Sequence, residues 1–212
     1  MGIAERKERE KLQRRRDILE AARSVFSEKG FQPATMDEIA ERVELSKPTI
    51  YLYFDSKEDL YTSIALEDSY KVMERLTEIV ASDAGLIEKW RSVWLAFVEH
   101  CIENPEYVSI SQHILARESR QRVSDHILEE FDKHTRELME HVTQLVEESI
   151  EKGLARDDLP PRTIVLITWR LTIGLLELYS SGRAAEFGVD DHQEFFENSF
   201  DVLANGLLRR GS

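Results

Sequence analysis

The chain is poor in the residues that stop helices or staple small folds. Its 212 residues include one cysteine, five prolines and nine glycines. A lone Cys101 excludes an internal disulfide framework and any CxxC metal or redox motif. So few breakers, with apolar residues recurring every three or four positions almost throughout, predict an all-α fold. No apolar run reads as long enough to cross a membrane, and the charged N-terminus is unlike a secretory signal, so a cytoplasmic protein is expected. The signatures of common enzymes are missing too: there is no GxGxxG, no P-loop, no HExxH and no GxSxG. No Ser/His/Asp grouping can be assembled either, and the expectation is a non-enzyme with no cofactor and no metal.

Charge is scarce in one sign and unevenly spread. The net charge is −13, yet residues 1–57 carry 12 Lys+Arg against 11 Asp+Glu, whereas residues 58–212 carry 16 against 30. The first sixteen residues alone hold seven basic and three acidic side chains. Positive potential is therefore confined to one end, the distribution expected of a protein that meets phosphates there and keeps an acidic body.

That basic end contains the most informative stretch, TMDEIAERVELSKPTIYLYFDSK, from Thr35 to Lys57. Thr35 followed by Glu38 makes a capping box, and Met36, Ile39, Ala40 and Val43 line one helical face. Glu44 and Leu45 turn the chain, Ser46 caps a second short helix, and Pro48 sits in its first turn, where a missing N–H does no harm. Ile50 and Phe54 point inward, leaving Lys47, Thr49, Tyr51, Leu52 and Tyr53 outward. Hydroxyls, phenols and an ammonium on an exposed helix suit phosphates, base edges and thymine methyls, and two helices across a tight turn are the arrangement that places the second in a major groove.

The run SKPTIYLYFDSKEDLY, preceded by TMDEIAERV and by a helix ending FSEKGF, resembles the DNA-binding domain of TetR-family transcriptional regulators over roughly residues 14–65. The resemblance implies a phosphate contact at Thr35 and recognition-helix contacts from Ser46, Lys47, Thr49 and Tyr51. It also implies phosphate clamps at Tyr53 and Lys57. Two departures stand out. Glu44 occupies a turn position usually held by glycine, which strains the turn if φ is positive there. Leu52 replaces the commoner His or Trp.

The expected organisation is a flexible basic arm over residues 1–13, read either as a solubilising tail or as an arm that reaches phosphates or a minor groove, and a three-helix helix-turn-helix domain over 14–56, whose first helix covers 14–30. A linking helix over 57–81 leads to a helical ligand-binding and dimerisation domain over 82–212. In that body, helices are expected at 86–103, from Pro105, at 120–152 (about 50 Å at 1.5 Å per residue), at 162–179 and at about 190–209. The helix 162–179 is apolar around most of its circumference, which predicts burial on all sides. Paired with the Phe-rich last helix, it should form half of a four-helix homodimer interface, as the TetR resemblance also implies.

The resemblance further implies a pocket for a small hydrophobic effector, with Trp90, Trp94, Phe97, Tyr107, Ile114, Phe131 and His134 as lining candidates. Glu130, His134, Glu137 and His141 share one helical column whose spacing suits a satisfied helix edge, a ligand-bonding site or a divalent metal. Cys101, beside His100, reads as a small core residue or a redox sensor. Arg170, within the most apolar helix, should pair with Glu177 or a carboxylate across the dimer, or meet a ligand carboxylate. The function expected is a dimeric regulator of double-stranded operator DNA, most simply a repressor released by a hydrophobic ligand. The rival is a helical adaptor without sequence-specific DNA binding.

Overall fold

A computed structural model describes residues 2–208, except for the side chains of Ile3, Ser111 and Leu115. Among the described residues the chain forms eleven helices: α1 (Ile3–Lys29), α2 (Met36–Arg42), α3 (Lys47–Tyr51), α4 (Lys57–Ala81), α5 (Leu86–Glu103), α6 (Pro105–Leu115), α7 (Arg117–Arg120), α8 (Asp125–Glu151), α9 (Pro161–Ser180), α10 (Arg183–Glu186) and α11 (His192–Leu207). The all-α reading holds, and the only paired strand-like contact described is an isolated bridge between Ala155 and Leu208. Local chemistry sets most boundaries. Gly30 stops α1 at φ 79 and Gly153 follows α8 at φ 70, while Pro105 and Pro161 open α6 and α9.

Three boundaries differ from expectation. The supposed arm is helix, because α1 starts at Ile3 and is supported there by Arg6–Glu10 at 2.7 Å and Gln13–Asp17 at 2.8 Å, four residues apart in each case. The helix expected over 120–152 starts only at Asp125, after the separate short α7, so it spans 27 residues, or about 40 Å. The last helix starts at His192, with the Asp191 side chain accepting from the N–H groups of Gln193 and Glu194. Arg209, the expected end of that helix, lies outside the described residues, as does everything after it.

The chain divides into two compact units. The first comprises the residues up to Asp68 together with Ser109–Asp132; the second comprises Ser69–Val108 and the residues from Lys133 on. The division falls within α4, α6 and α8 rather than at the ends of a linking helix.

In the first unit, Ile18, Leu19, Ala22, Val25 and Phe26 of α1 are buried, as are Met36, Ile39, Ile50, Phe54, Leu60 and Ile64. Polar ties lock the helices around this core. Arg23 reaches the fully buried Asp68 in a forked pair at 2.7 and 2.9 Å, and Arg42 forks onto Glu28 at 2.8 Å through both nitrogens. Buried Asp59 accepts from the N–H of Ser124 at 2.7 Å and from its hydroxyl at 2.6 Å, which fixes the chain just before α8. Ser56 caps α4 as expected, accepting from the Asp59 N–H at 2.9 Å.

In the second unit one cluster joins Val72, Leu76, Leu86, Val93, Ala96, Leu138 and Leu145, and another joins Val146, Ile164 and Val165. The α9 helix is not buried all round. Ile164, Val165, Thr172, Ile173 and Leu176 face inward, whereas Leu166, Ile167 and Leu171 are each about half exposed. At 20 residues, with a mean hydropathy of 1.3 over an 18-residue window, α9 is also long and apolar enough to span a membrane by length and composition, contrary to the expectation that no run is.

The turn between α2 and α3 carries the single non-glycine residue of positive φ among those described, Glu44 at φ 55. A Cβ in that region costs conformational energy that glycine avoids. Glu44→Gly is therefore expected to stabilise the fold by about 1 kcal/mol. Thermal unfolding of the two chains checks this, and a lower melting temperature for the glycine variant would contradict it.

Candidate nucleic-acid interface

The interface is assembled from caps outward. Thr35 takes an extended conformation before α2, and its Oγ1 accepts from the Glu38 N–H at 3.3 Å, while Glu38 Oε2 accepts from the Thr35 N–H at 3.0 Å. Both halves of the capping box are thus closed. After Arg42 the chain reverses through Glu44, and the Leu45 N–H returns to the Ala40 carbonyl at 2.9 Å. Ser46 then caps α3 by accepting from the Thr49 N–H at 3.3 Å, and its hydroxyl also meets that of Thr49 at 2.7 Å.

The short α3 has one anchored side. Ile50 and Phe54 are 0% and 2% exposed, and Arg15 stacks on the Phe54 ring at 5.0 Å. The other side presents Tyr51, 43% exposed, and Leu52, 78% exposed, with Lys47, Thr49 and Tyr53 half-exposed beside them and Thr35 and Ser46 exposed at the helix starts. Exposing a tyrosine and a leucine next to each other forgoes apolar burial that a covering partner would supply.

Two cations meet partners within the chain. Lys47 donates to Asp37 at 2.7 Å across the turn, and that hydrogen bond raises its pKa. Lys57, expected as a phosphate clamp, stands differently. Its ammonium donates to the carbonyls of Phe31 at 2.7 Å, Gln32 at 3.2 Å and Ala34 at 2.9 Å, and lies 4.3 Å above the Phe31 ring. All three of its donors are used, and desolvation lowers its pKa. Sequence reasoning could not see this cage, since its acceptors are backbone atoms of a distant turn. It also missed the Arg42–Glu28 fork, whose hydrogen bonds hold the Glu28 carboxyl down at about 2.

The effector candidates are divided between the two units. Ile114 and Phe131 are core residues of the first unit, while Trp90, Trp94, Phe97, Tyr107 and His134 belong to the second. The Trp94 indole donates to Thr172 at 2.7 Å and its ring packs on Phe196 and Phe200, so it is a packing residue of α5 against α9 and α11. Trp90 turns its N–H toward the Leu145 carbonyl at 3.4 Å, and Phe97 meets Tyr107 edge-on.

His134 is 4% exposed under the Tyr70 ring, 4.1 Å away, and its Nε2 has no hydrogen-bond partner among the described residues. His141 instead turns Nδ1 to the carbonyl of Glu137 at 2.8 Å, and no three His, Cys, Asp or Glu side chains among the described residues gather to hold a metal. Cys101 is buried and its thiol pKa is pushed up by burial, which suits a packing residue rather than a redox sensor. Arg170 is exposed, with its guanidinium 5.7 Å from the ring of its neighbour Trp169.

Comparison with known proteins gives this geometry a context. Residues 18–64 match the family model for bacterial regulatory proteins of the tetR family. The HTH-type transcriptional repressor AcnR of Corynebacterium diphtheriae is 30% identical over 171 residues, covering 80% of this chain and 82% of that protein. The HTH-type transcriptional activator FasR of Mycolicibacterium smegmatis is 46% identical over 91 residues, 42% of each chain. Among solved structures, the ketosteroid transcriptional regulator KstR2 of Mycobacterium tuberculosis superposes with a TM-score of 0.72 at 21% identity, covering 93% of this chain and 96% of that one. Fold and site define a helix-turn-helix DNA-binding transcriptional regulator, and its relatives are regulators rather than enzymes. The chain belongs to the TetR family.

If Lys57 braces the turn, Lys57→Met should lower stability by roughly 2 kcal/mol while leaving DNA affinity intact at temperatures where the variant is folded. Paired thermal melts and binding titrations check this. Unchanged stability with weakened binding would restore the phosphate clamp.

Proposed function

We propose that the chain is a homodimeric repressor that binds a pseudo-palindromic operator and is released by a small hydrophobic effector. The observation that carries the DNA reading is the two-sided α3, with Ile50 and Phe54 anchored while Tyr51 and Leu52 are exposed. Tyr51 and Leu52 reach base edges and thymine methyls, and Lys47 and Thr49 reach bases or the adjoining backbone. Thr35, Ser46 and Tyr53 hold phosphates, and Lys57 supports the interface from beneath. The sign of regulation follows the AcnR repressor, a relative matched over most of the chain.

Dimerisation is supported by the half-exposed Leu166, Ile167 and Leu171 on α9 and by Val202, 74% exposed, on α11. A second copy covering both helices would bury this surface, and a two-fold pair would set two recognition helices about 34–36 Å apart for successive major grooves. It is this partner, rather than a bilayer, that the exposed face of α9 is assigned to, in keeping with a cytoplasmic regulator. The effector would lie in the second unit near Trp90, Phe97 and Tyr107, with the unpartnered Nε2 of His134 able to bond a polar group on it. Release follows if the effector binds better to the conformation whose recognition helices are wrongly spaced.

The test is selection of bound duplexes from a random pool by the wild-type chain and by Tyr51→Ala. A two-fold-symmetric site enriched by the former and lost by the latter is expected. Binding that only fades with salt and ignores Tyr51 would overturn the reading in favour of an adaptor with a charged head.

A further inference from the structure

The first three turns of α1 lie beyond its packed part, and all the described side chains from Ala4 to Arg14 are exposed. One stripe runs along most of the helix at steps of three or four: Ala4, Lys7, Lys11, Arg14, Ile18, Ala22, Val25. Over its C-terminal half the stripe is the core face, with Ile18 and Ala22 at 0% and Val25 at 2% exposure. Over its N-terminal half the same face is cationic.

Those cations differ from their neighbours. Arg6 is paired with Glu10, Arg23 with Asp68, Lys29 with Glu38, Arg42 with Glu28 and Lys47 with Asp37. Lys7, Lys11 and Arg14 have no carboxylate or hydrogen-bond partner among the described residues. Of the segment's three acids, Glu5 bonds the Gly2 N–H at 2.9 Å and Glu10 holds Arg6, while Glu8 sits one turn from Lys11 at the flank of the face. The root of the extension is placed by Arg15, which stacks on Phe54 and bonds the Ser63 hydroxyl at 3.3 Å. Phe54 is two residues beyond Leu52, so the extension leaves the unit beside the end of α3.

We infer that this extension is a rigid rail that lies along the DNA backbone outside the recognised site, with Lys7, Lys11 and Arg14 holding phosphates. The inference rests on the DNA-binding reading and adds to it a sequence-independent surface. From Ile3 to Arg14 the rail is about 17 Å long, the rise of roughly five base pairs. A helix that already exists loses little conformational freedom on binding, unlike a flexible arm. Phosphate-holding groups of this kind add affinity and salt dependence and carry no base information.

The test uses the full chain and a fluorescein-labelled mixed-sequence duplex of about 30 base pairs, titrated between about 50 and 200 mM salt. The triple variant K7Q/K11Q/R14Q keeps helix-forming side chains, and its melting curve verifies the fold. Its slope of log K against log salt should be shallower by about 2–3 per chain, at roughly 0.9 for each phosphate that is no longer neutralised. The motif it selects from a random pool should be that of the wild-type chain. R6Q/R9Q/R16Q removes equal charge from the opposite side of the helix and should change the slope much less. An unchanged slope in K7Q/K11Q/R14Q overturns the rail, and so does an equal loss in the opposite-face variant, which would mean net charge alone. An unchanged slope together with a shift in sedimenting mass would also overturn it, assigning the face to a second copy. A wild-type chain that selects no motif, while the slope difference persists, would sink the helix-turn-helix reading and leave the rail standing.

Discussion

The ammonium of Lys57 holds the DNA-binding unit in register. At the first residue of α4 it donates to three carbonyls of the Phe31–Ala34 turn and rests on the Phe31 ring. That turn delivers Thr35 to the start of α2, the capping box directs α2, and the reversal at Glu44 directs α3. The carbonyls of that turn would otherwise need water or a different path. Around this cage the Phe31 ring stacks on Tyr61 at 4.4 Å and tilts onto His113 at 4.3 Å, so α4 and α6 are tied to the same point. The five-residue α3 is thus oriented by this polar bracket and aromatic stack together with its own anchors, Ile50 and the Ser46 cap.

The rest of the unit's electrostatics follows a simple division. Cations that join helices are paired with carboxylates or carbonyls, as at Arg23, Arg42 and Lys57. Those pairs bridge elements at short range and have little to offer a ligand. Apolar or aromatic groups are left uncovered as well, Tyr51 and Leu52 at α3 and, in the second unit, Leu166, Ile167 and Leu171 on α9. Leaving such groups in water lowers the stability of the single chain, and their burial on assembly would recover it. A regulator needs surfaces of this kind, since what it binds must be able to leave.

Much of this is legible in the residues. The helices Lys57–Ala81 and Leu86–Glu103 have the bounds expected of them, because Ser56 and Pro105 are local signals that require no tertiary knowledge. The capping box at Thr35, the cap at Ser46 and the inward pair Ile50 and Phe54 are equally local. What escapes such a reading is non-local or non-hydrophobic. The first turns of α1 carry no apolar stripe, and their helicity rests on charge pairs that hydrophobic periodicity does not register. The start of α8 is hidden because Val123 and Ile127 keep helical spacing, while the break between them is set by Ser124 bonding the buried Asp59 far away in the chain. Lys57 reads as a phosphate ligand for the same reason, as backbone acceptors leave no mark on composition. The aromatic set expected around the effector mixes residues of two units, since ring-bearing residues fill cores as readily as they line pockets.

The central claim is that two copies present paired α3 helices to one face of DNA. Hydroxyl-radical footprinting of the wild-type chain on its selected duplex tests it most directly. Two protected windows, centred about one helical turn or 10–10.5 base pairs apart, are predicted. A single window, or protection spread evenly along the duplex, would contradict the account and leave α3 without a role in paired recognition.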